Sequence, residues 1–188
     1  MKTLDNERYG MIRLFEACIA SLALLVEQDA QLFSWRRGRL AVCHRLAYHL
    51  EHLVFSPESL GKSEGRYMDL CAAIPGDSRL ITPDILLHNR SLEAPVRDMA
   101  IVCREGYLSE AELKALHEMK VKADCELTLA IAFLPQKEYL LIYRADDTRI
   151  DYYHFNRSDF HCHLLKRRDV LELSDDSHQL KLGMKVRR

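Results

Sequence analysis

Leu80-Ile81-Thr82-Pro83-Asp84-Ile85-Leu86-Leu87-His88 and, after a connector, Arg97-Asp98-Met99-Ala100-Ile101-Val102-Cys103-Arg104 decide the fold. The first run is rich in β-formers but interrupted by Pro83. Proline cannot donate to a strand ladder, so it belongs at a strand start or a sheet edge. Asp84 follows directly and places one carboxylate against the apolar Ile-Leu-Leu. Such a carboxylate is costly unless it is paired or bound to a metal. The alternative is a turn-entry aspartate hydrogen-bonded to nearby backbone. The second run is short and almost wholly apolar, as a strand buried on both faces should be.

Downstream of these runs, Ser109 with Glu112 forms a capping box, which opens a helix running through Lys120. Residues 126–134 read as a strand closed by Pro135, and 139–144 and 149–155 as two more, with Asp146-Asp147 in the turn between. The run 97–104, the helix and 126–134 together predict one right-handed βαβ unit. Upstream, 67–73 reads as a strand and Pro75-Gly76-Asp77-Ser78 as a turn. Residues 39–55 have helical periodicity and end at Ser56-Pro57. At about 100° per residue, Leu40, Cys43, Leu46, Ala47, Leu50, Leu53 and Val54 share an apolar arc, with His44 and Glu51 just outside one edge. A first helix is predicted over 5–28 from Ile12, Phe15, Ile19, Leu22 and Val26, and 29–38 interrupts the pattern. The tail holds the charged Lys166-Arg167-Arg168 and a predicted final strand over 178–186. The fold class expected is α/β, a mixed central β-sheet flanked by helices.

The 188 residues suit a single domain with a well-buried core and no need of disulfide or metal staples. The composition, 48% apolar and 29% charged, excludes disordered, collagen-like and disulfide-scaffold classes. Because 27 basic side chains face 28 acidic ones, the surface as a whole does not attract nucleic acid, though a local basic groove can. Six dispersed cysteines in apolar runs, the early acids in Met-Lys-Thr-Leu-Asp-Asn-Glu-Arg and apolar stretches too short to span a bilayer predict a cytoplasmic protein without membrane contact.

The ordered set of helical acid, Pro-Asp strand, apolar strand, crossover helix and further strand resembles the PD-(D/E)XK nuclease superfamily. The resemblance covers residues 39–145. It implies an αβββαβ restriction-endonuclease-like core, preceded by a helical extension over 1–38 and elaborated by strands over 146–188. It implies Glu51 and Asp84 as ligands of Mg²⁺ or Mn²⁺, and Arg104 as the cation beside the scissile phosphate. In that chemistry carboxylates hold a hydrated hard cation, which helps to generate hydroxide and stabilises charge on the phosphate.

The chain departs from the pattern in its third strand, where Val102 and Arg104 stand in the acid and lysine positions. Valine cannot bind a metal, and an arginine side chain is too basic to act as a general base. Glu105, Glu112 or Lys114 would have to supply the missing groups. The expectation is therefore a degenerate or weakly active nuclease-fold domain that binds nucleic acid or a protein partner. The alternative is a non-catalytic α/β interaction module unrelated to nucleases. Elsewhere, His161-Cys162-His163 puts two imidazoles on one face of a strand, the start of a zinc site that lacks a second pair. Two basic clusters, Arg36, Arg37, Arg39 and Arg45 beside Trp35, and Lys166-Arg167-Arg168 with Lys185, Arg187 and Arg188, could meet a nucleic-acid backbone or be ordinary solvated faces.

Overall fold

In the computed structural model, the described residues are 2–35, 37–56, 65–75 and 80–173, the first eight of them as backbone only. Helices α1 (Lys2–Asp29) and α2 (Arg39–Val54) are joined through a 3₁₀ turn, Ala30–Ser34. Strands β1 (Tyr67–Leu70), β2 (Ile74–Pro75), β3 (Leu80–Ile81), β4 (Ile85–His88) and β5 (Arg97–Glu105) follow. Then come α3 (Glu110–Ala123), β6 (Cys125–Phe133), β7 (Tyr139–Ala145), β8 (Arg149–Asn156) and β9 (Cys162–Asp169). Seven strands form one sheet in the order β1-β4-β5-β6-β7-β8-β9, and β2 pairs only with β3. The β5–β6 pair is parallel and every other neighbouring pair antiparallel, so the sheet is mixed.

The alternation of side chains along β5 and β6 puts larger residues on one face of the sheet and mostly small ones on the other. Met99, Ile101 and Cys103 of β5 and Leu127, Leu129, Ile131 and Phe133 of β6 pack beneath α1 and α2. The opposite face carries small residues, Ala100, Ala130, Ala132 and Ala145, and α3 settles on it through Leu113, Leu116 and Met119. The predicted βαβ order is present, with α3 linking the parallel neighbours β5 and β6. The capping box is also present: Ser109 accepts from the Glu112 N–H, and the Ser109 N–H donates to Glu112 Oε2 at 2.9 Å.

Three local expectations change. Residues 80–88 are not one strand: β3 and β4 belong to different sheets and 82–84 lie between them, because Pro83 has no N–H to continue the ladder. The strand expected over 67–73 stops at Leu70, where Cys71 turns the chain with φ +53°. In α2, Leu40 is 60% exposed and His49 takes a buried place. Leu40 lies in the first turn, and His49 reaches Asp29 at the end of α1 at 3.3 Å. The final strand expected over 178–186 lies outside the described residues.

Candidate functional site

Asp84 is buried where β4 begins, and every polar group it has is engaged. Its N–H donates to Ile101 O at 2.9 Å, and its carbonyl accepts from Cys71 N–H at 3.0 Å. Its carboxylate accepts the Cys103 N–H at 2.7 Å through Oδ2, and Oδ1 receives the guanidinium of Arg39. Arg39 is the first residue of α2, so the helix that covers β5 delivers a cation onto the strand-end carboxylate. Gly38 makes this entry close: a Cβ there would lie 2.5 Å from Leu32 O.

A second guanidinium stands beside the first. Arg104 Nη1 is 4.0 Å from Asp84 Oδ2 and donates to Cys103 O at 3.1 Å. Arg104 Nε donates to Glu112 Oε1 at 3.1 Å. Hydrogen bonds from the Ser109 backbone, opposed by partial burial and then reinforced by the Ser109 hydroxyl and Arg104, hold the Glu112 carboxyl below its ordinary range. One chain of contacts thus runs from Arg39 through Asp84 and Arg104 to the N-terminus of α3.

On the core side, Cys43 Sγ, Cys103 Sγ and an Asp84 carboxylate oxygen lie within 4.8 Å of one another, and the set could hold a metal ion. A hydrogen bond with Cys43, followed by burial, pushes the Cys103 thiol well above its ordinary range. Burial and then the neighbouring Cys162 push Cys18, also near Cys103, to about 12. Thiolates suit soft or borderline ions, whereas Mg²⁺ and Mn²⁺ take oxygen ligands. One carboxylate already held by arginine and flanked by two sulfur atoms does not fit those hard cations.

Of the residues singled out from the sequence, Asp84 and Arg104 come together and Glu51 does not join them. The residues that α2 presents to Asp84 are Arg39 and Cys43. Glu51 is exposed on the same helix, eight residues beyond Cys43. At the rise of an α-helix that separation is about 12 Å along the axis. Val102 packs, partly buried, among the apolar residues on the α3 side. Glu105 is exposed at the end of β5, and Lys114 is half-buried on α3. Of the three groups considered as replacements, Glu112 is the one tied to the site, through Arg104.

Several described members of the basic clusters face acids or rings, and Arg36, Lys185, Arg187 and Arg188 lie outside the described residues. Arg45 donates to Asp29 at 2.6 Å; Arg168 donates to Glu110 at 2.6 Å; Arg167 is 3.6 Å from the fully buried Asp151, which Arg144 and Arg149 also approach at 2.6 and 3.2 Å. Lys166 lies over the Tyr152 ring, 4.5 Å from its centroid. Arg37 and Trp35 are exposed beside the start of α2. Sequence reasoning missed Arg39 as the partner of Asp84 and missed the thiol pair. The available signals were Arg39 at the first turn of α2, Cys43 on the apolar arc of that helix and Cys103 in the apolar run of β5.

A scan against protein-family models finds no match, and neither a search of the curated proteins nor one of the solved structures finds a match. No described helix is long and apolar enough to cross a membrane.

Proposed function

We propose that the chain is a PD-(D/E)XK nuclease-like domain that binds a nucleic-acid backbone without cleaving it. The observation that carries this reading is the closure of Asp84 by the Arg39 guanidinium and the Cys103 N–H, with Arg104 alongside. A cleaving relative needs a hydrated cation at that carboxylate; here a side chain supplies the positive charge. The order α2, β1, β4, β5, α3, β6, with α3 joining parallel neighbours, supports the restriction-endonuclease-like core. Mg²⁺ and Mn²⁺ are held weakly, because an ion at Asp84 must displace Arg39 and, among the described residues, the ligand atoms grouped with Asp84 are the two thiols of Cys43 and Cys103.

The guanidiniums of Arg39 and Arg104 keep 37% and 40% of their side-chain surface in solvent. Arg37 and Trp35 are exposed beside them. Together they offer phosphate contacts and a stacking surface at one end of α2. The test is fluorescence anisotropy with labelled single-stranded DNA, single-stranded RNA and duplex, run beside a gel cleavage assay in Mg²⁺ and in Mn²⁺. The expected result is salt-sensitive binding weakened by Arg104→Ala, with every substrate intact. Cleavage by the wild type that Asp84→Ala abolishes would overturn the non-cleaving assignment. Absence of both binding and cleavage would leave a non-catalytic interaction module unrelated to nucleases.

A further inference from the structure

The two thiols that face Asp84 come from different elements. Cys43 is one helical turn beyond Arg39, so α2 brings a thiol and a guanidinium to the same carboxylate from one face. Cys103 lies on the side of β5 that packs beneath α1 and α2, and its own N–H donates to Asp84 Oδ2 at 2.7 Å. All three residues are buried, and the Cys43 and Cys103 thiols hydrogen-bond to one another. Among the described residues this is the trio whose ligand atoms gather, each within 4.8 Å of the others. His154, His161 and His163 adjoin at the β8–β9 edge, with ring centroids 5.0 and 5.6 Å apart, but do not make such a trio.

We propose that Cys43, Cys103 and Asp84 form a site for a borderline divalent ion, Zn²⁺ in the first instance, with both sulfurs and one carboxylate oxygen as ligands. Thiolate and carboxylate are both zinc ligands, and thiolate selects zinc over Mg²⁺ and Mn²⁺. On a tetrahedral ion with Zn–S near 2.3 Å and Zn–O near 2.1 Å, neighbouring ligand atoms stand about 3.6–3.8 Å apart. Atoms already within 4.8 Å of one another reach that spacing by drawing in roughly 1 Å. The ion needs only part of the carboxylate. The two Asp84 oxygens accept from Arg39 and from the Cys103 N–H, and a carboxylate oxygen has a second lone pair to give. On the thiol side of Asp84 a soft ion can therefore bind with Arg39 in place, whereas a hydrated hard cation arriving from solvent meets the guanidinium first. Those two hydrogen bonds also fix the carboxylate, as partners of a metal ligand do. Charge balances as well: two thiolates and a carboxylate outweigh Zn²⁺ by one negative charge, and Arg39 supplies the matching positive one. Three protein ligands leave the fourth position to water. This site goes beyond the nucleic-acid reading and does not rest on it.

The experiment is calorimetry of the whole reduced chain with Zn²⁺ alone, and absorption with Co²⁺ alone. Both are repeated on chain refolded with the ion present, because the ligands are buried and an ion must pass the Arg39 and Arg104 side chains. The wild type should take up one Zn²⁺ per chain with a dissociation constant of about micromolar or below. The Co²⁺ form should show thiolate-to-cobalt charge transfer. Cys43→Ser and Cys103→Ser should each weaken uptake by about tenfold or more, with circular dichroism confirming that both variants stay folded. His163→Ala, which changes an exposed side chain, should leave uptake unchanged. Absence of uptake at millimolar metal by either route would overturn the proposal, and so would a Co²⁺ form without thiolate charge transfer; neither result depends on a variant. Uptake that survives both cysteine variants and disappears in His163→Ala would overturn it too, by moving the metal to the β8–β9 edge. Nucleic-acid binding is read separately, by anisotropy of the metal-free chain, so the two readings fail independently.

Discussion

Asp84 shows how one residue can be marked by sequence while its partners are not. Removing its carboxylate leaves the Cys103 N–H and the Arg39 guanidinium without their acceptor. A buried donor stranded this way costs about 1–3 kcal/mol. Asp84→Ala should therefore lower the unfolding free energy by about that much, read as a lower urea midpoint at an unchanged m-value, and Asp84→Asn, which keeps one acceptor oxygen, by less. The Pro83-Asp84 signal was legible because proline acts on its own neighbours. Arg39 was not legible, because it lies 45 residues from Asp84 and meets it only through the packing of α2 on β5. Asp69 offers a separate test at the same scale. Its carboxyl is held down to about 2, first by hydrogen bonding to Arg90, against the opposing effect of burial and with further help from His88. A carboxyl depressed in the folded state contributes stability above its unfolded value near 3.9, and that contribution is lost as pH falls toward 2. Wild-type stability, followed by thermal unfolding from pH 5 down to pH 2, should fall more steeply than that of Asp69→Asn.

Elements are placed by short local instructions and by a few tight approaches. The start of α2 depends on Gly38, whose N–H donates to Trp35 O at 3.0 Å and whose carbonyl accepts the Val42 N–H at 2.9 Å. An alanine Cβ there would stand 2.5 Å from Leu32 O and 3.1 Å from Trp35 O, and both are backbone atoms that cannot swing aside. Gly38→Ala should cost about 1–3 kcal/mol, the range for forced overpacking, measured as a lowered urea midpoint. It should also shift the near-ultraviolet signal of Trp35, the sole tryptophan. The sequence showed a glycine that punctuates, but not the carbonyl it passes. Helix α3 was the more legible element, since Ser109 and Glu112 state its start in four residues. Residues 80–88 were legible as extended chain and illegible as two elements. Proline denies the ladder one donor, but only the tertiary structure shows that β3 then pairs with β2 and β4 with β5. Similarly, helical rotation placed Glu51 near the rim of the right face, while its depth along α2 depended on where β4 meets the helix.

At the scale of the whole molecule, charge decides what kind of binding the sheet can support. With 27 basic against 28 acidic side chains there is no long-range attraction toward a polyanion, so any nucleic-acid contact must be local. The described arginines of β7, β8 and β9 already face acids: Arg144, Arg149 and Arg167 share the buried carboxylate of Asp151, and Arg168 pairs with Glu110. The cations proposed to meet phosphate are Arg37, Arg39 and Arg104, around the start of α2. Each phosphate neutralised on duplex DNA contributes about −0.9 to the slope of log K against log salt, so three contacts give a slope near −2.7. Anisotropy titrations with labelled duplex at several salt concentrations should return a slope of about that size. Arg104→Ala should make it shallower by about 0.9. Replacing Arg167, which lies 3.6 Å from Asp151, should leave it unchanged. A slope several times steeper, or one that responds to Arg167 and not to Arg104, would move the binding face to β9 and detach nucleic-acid contact from the Asp84 site.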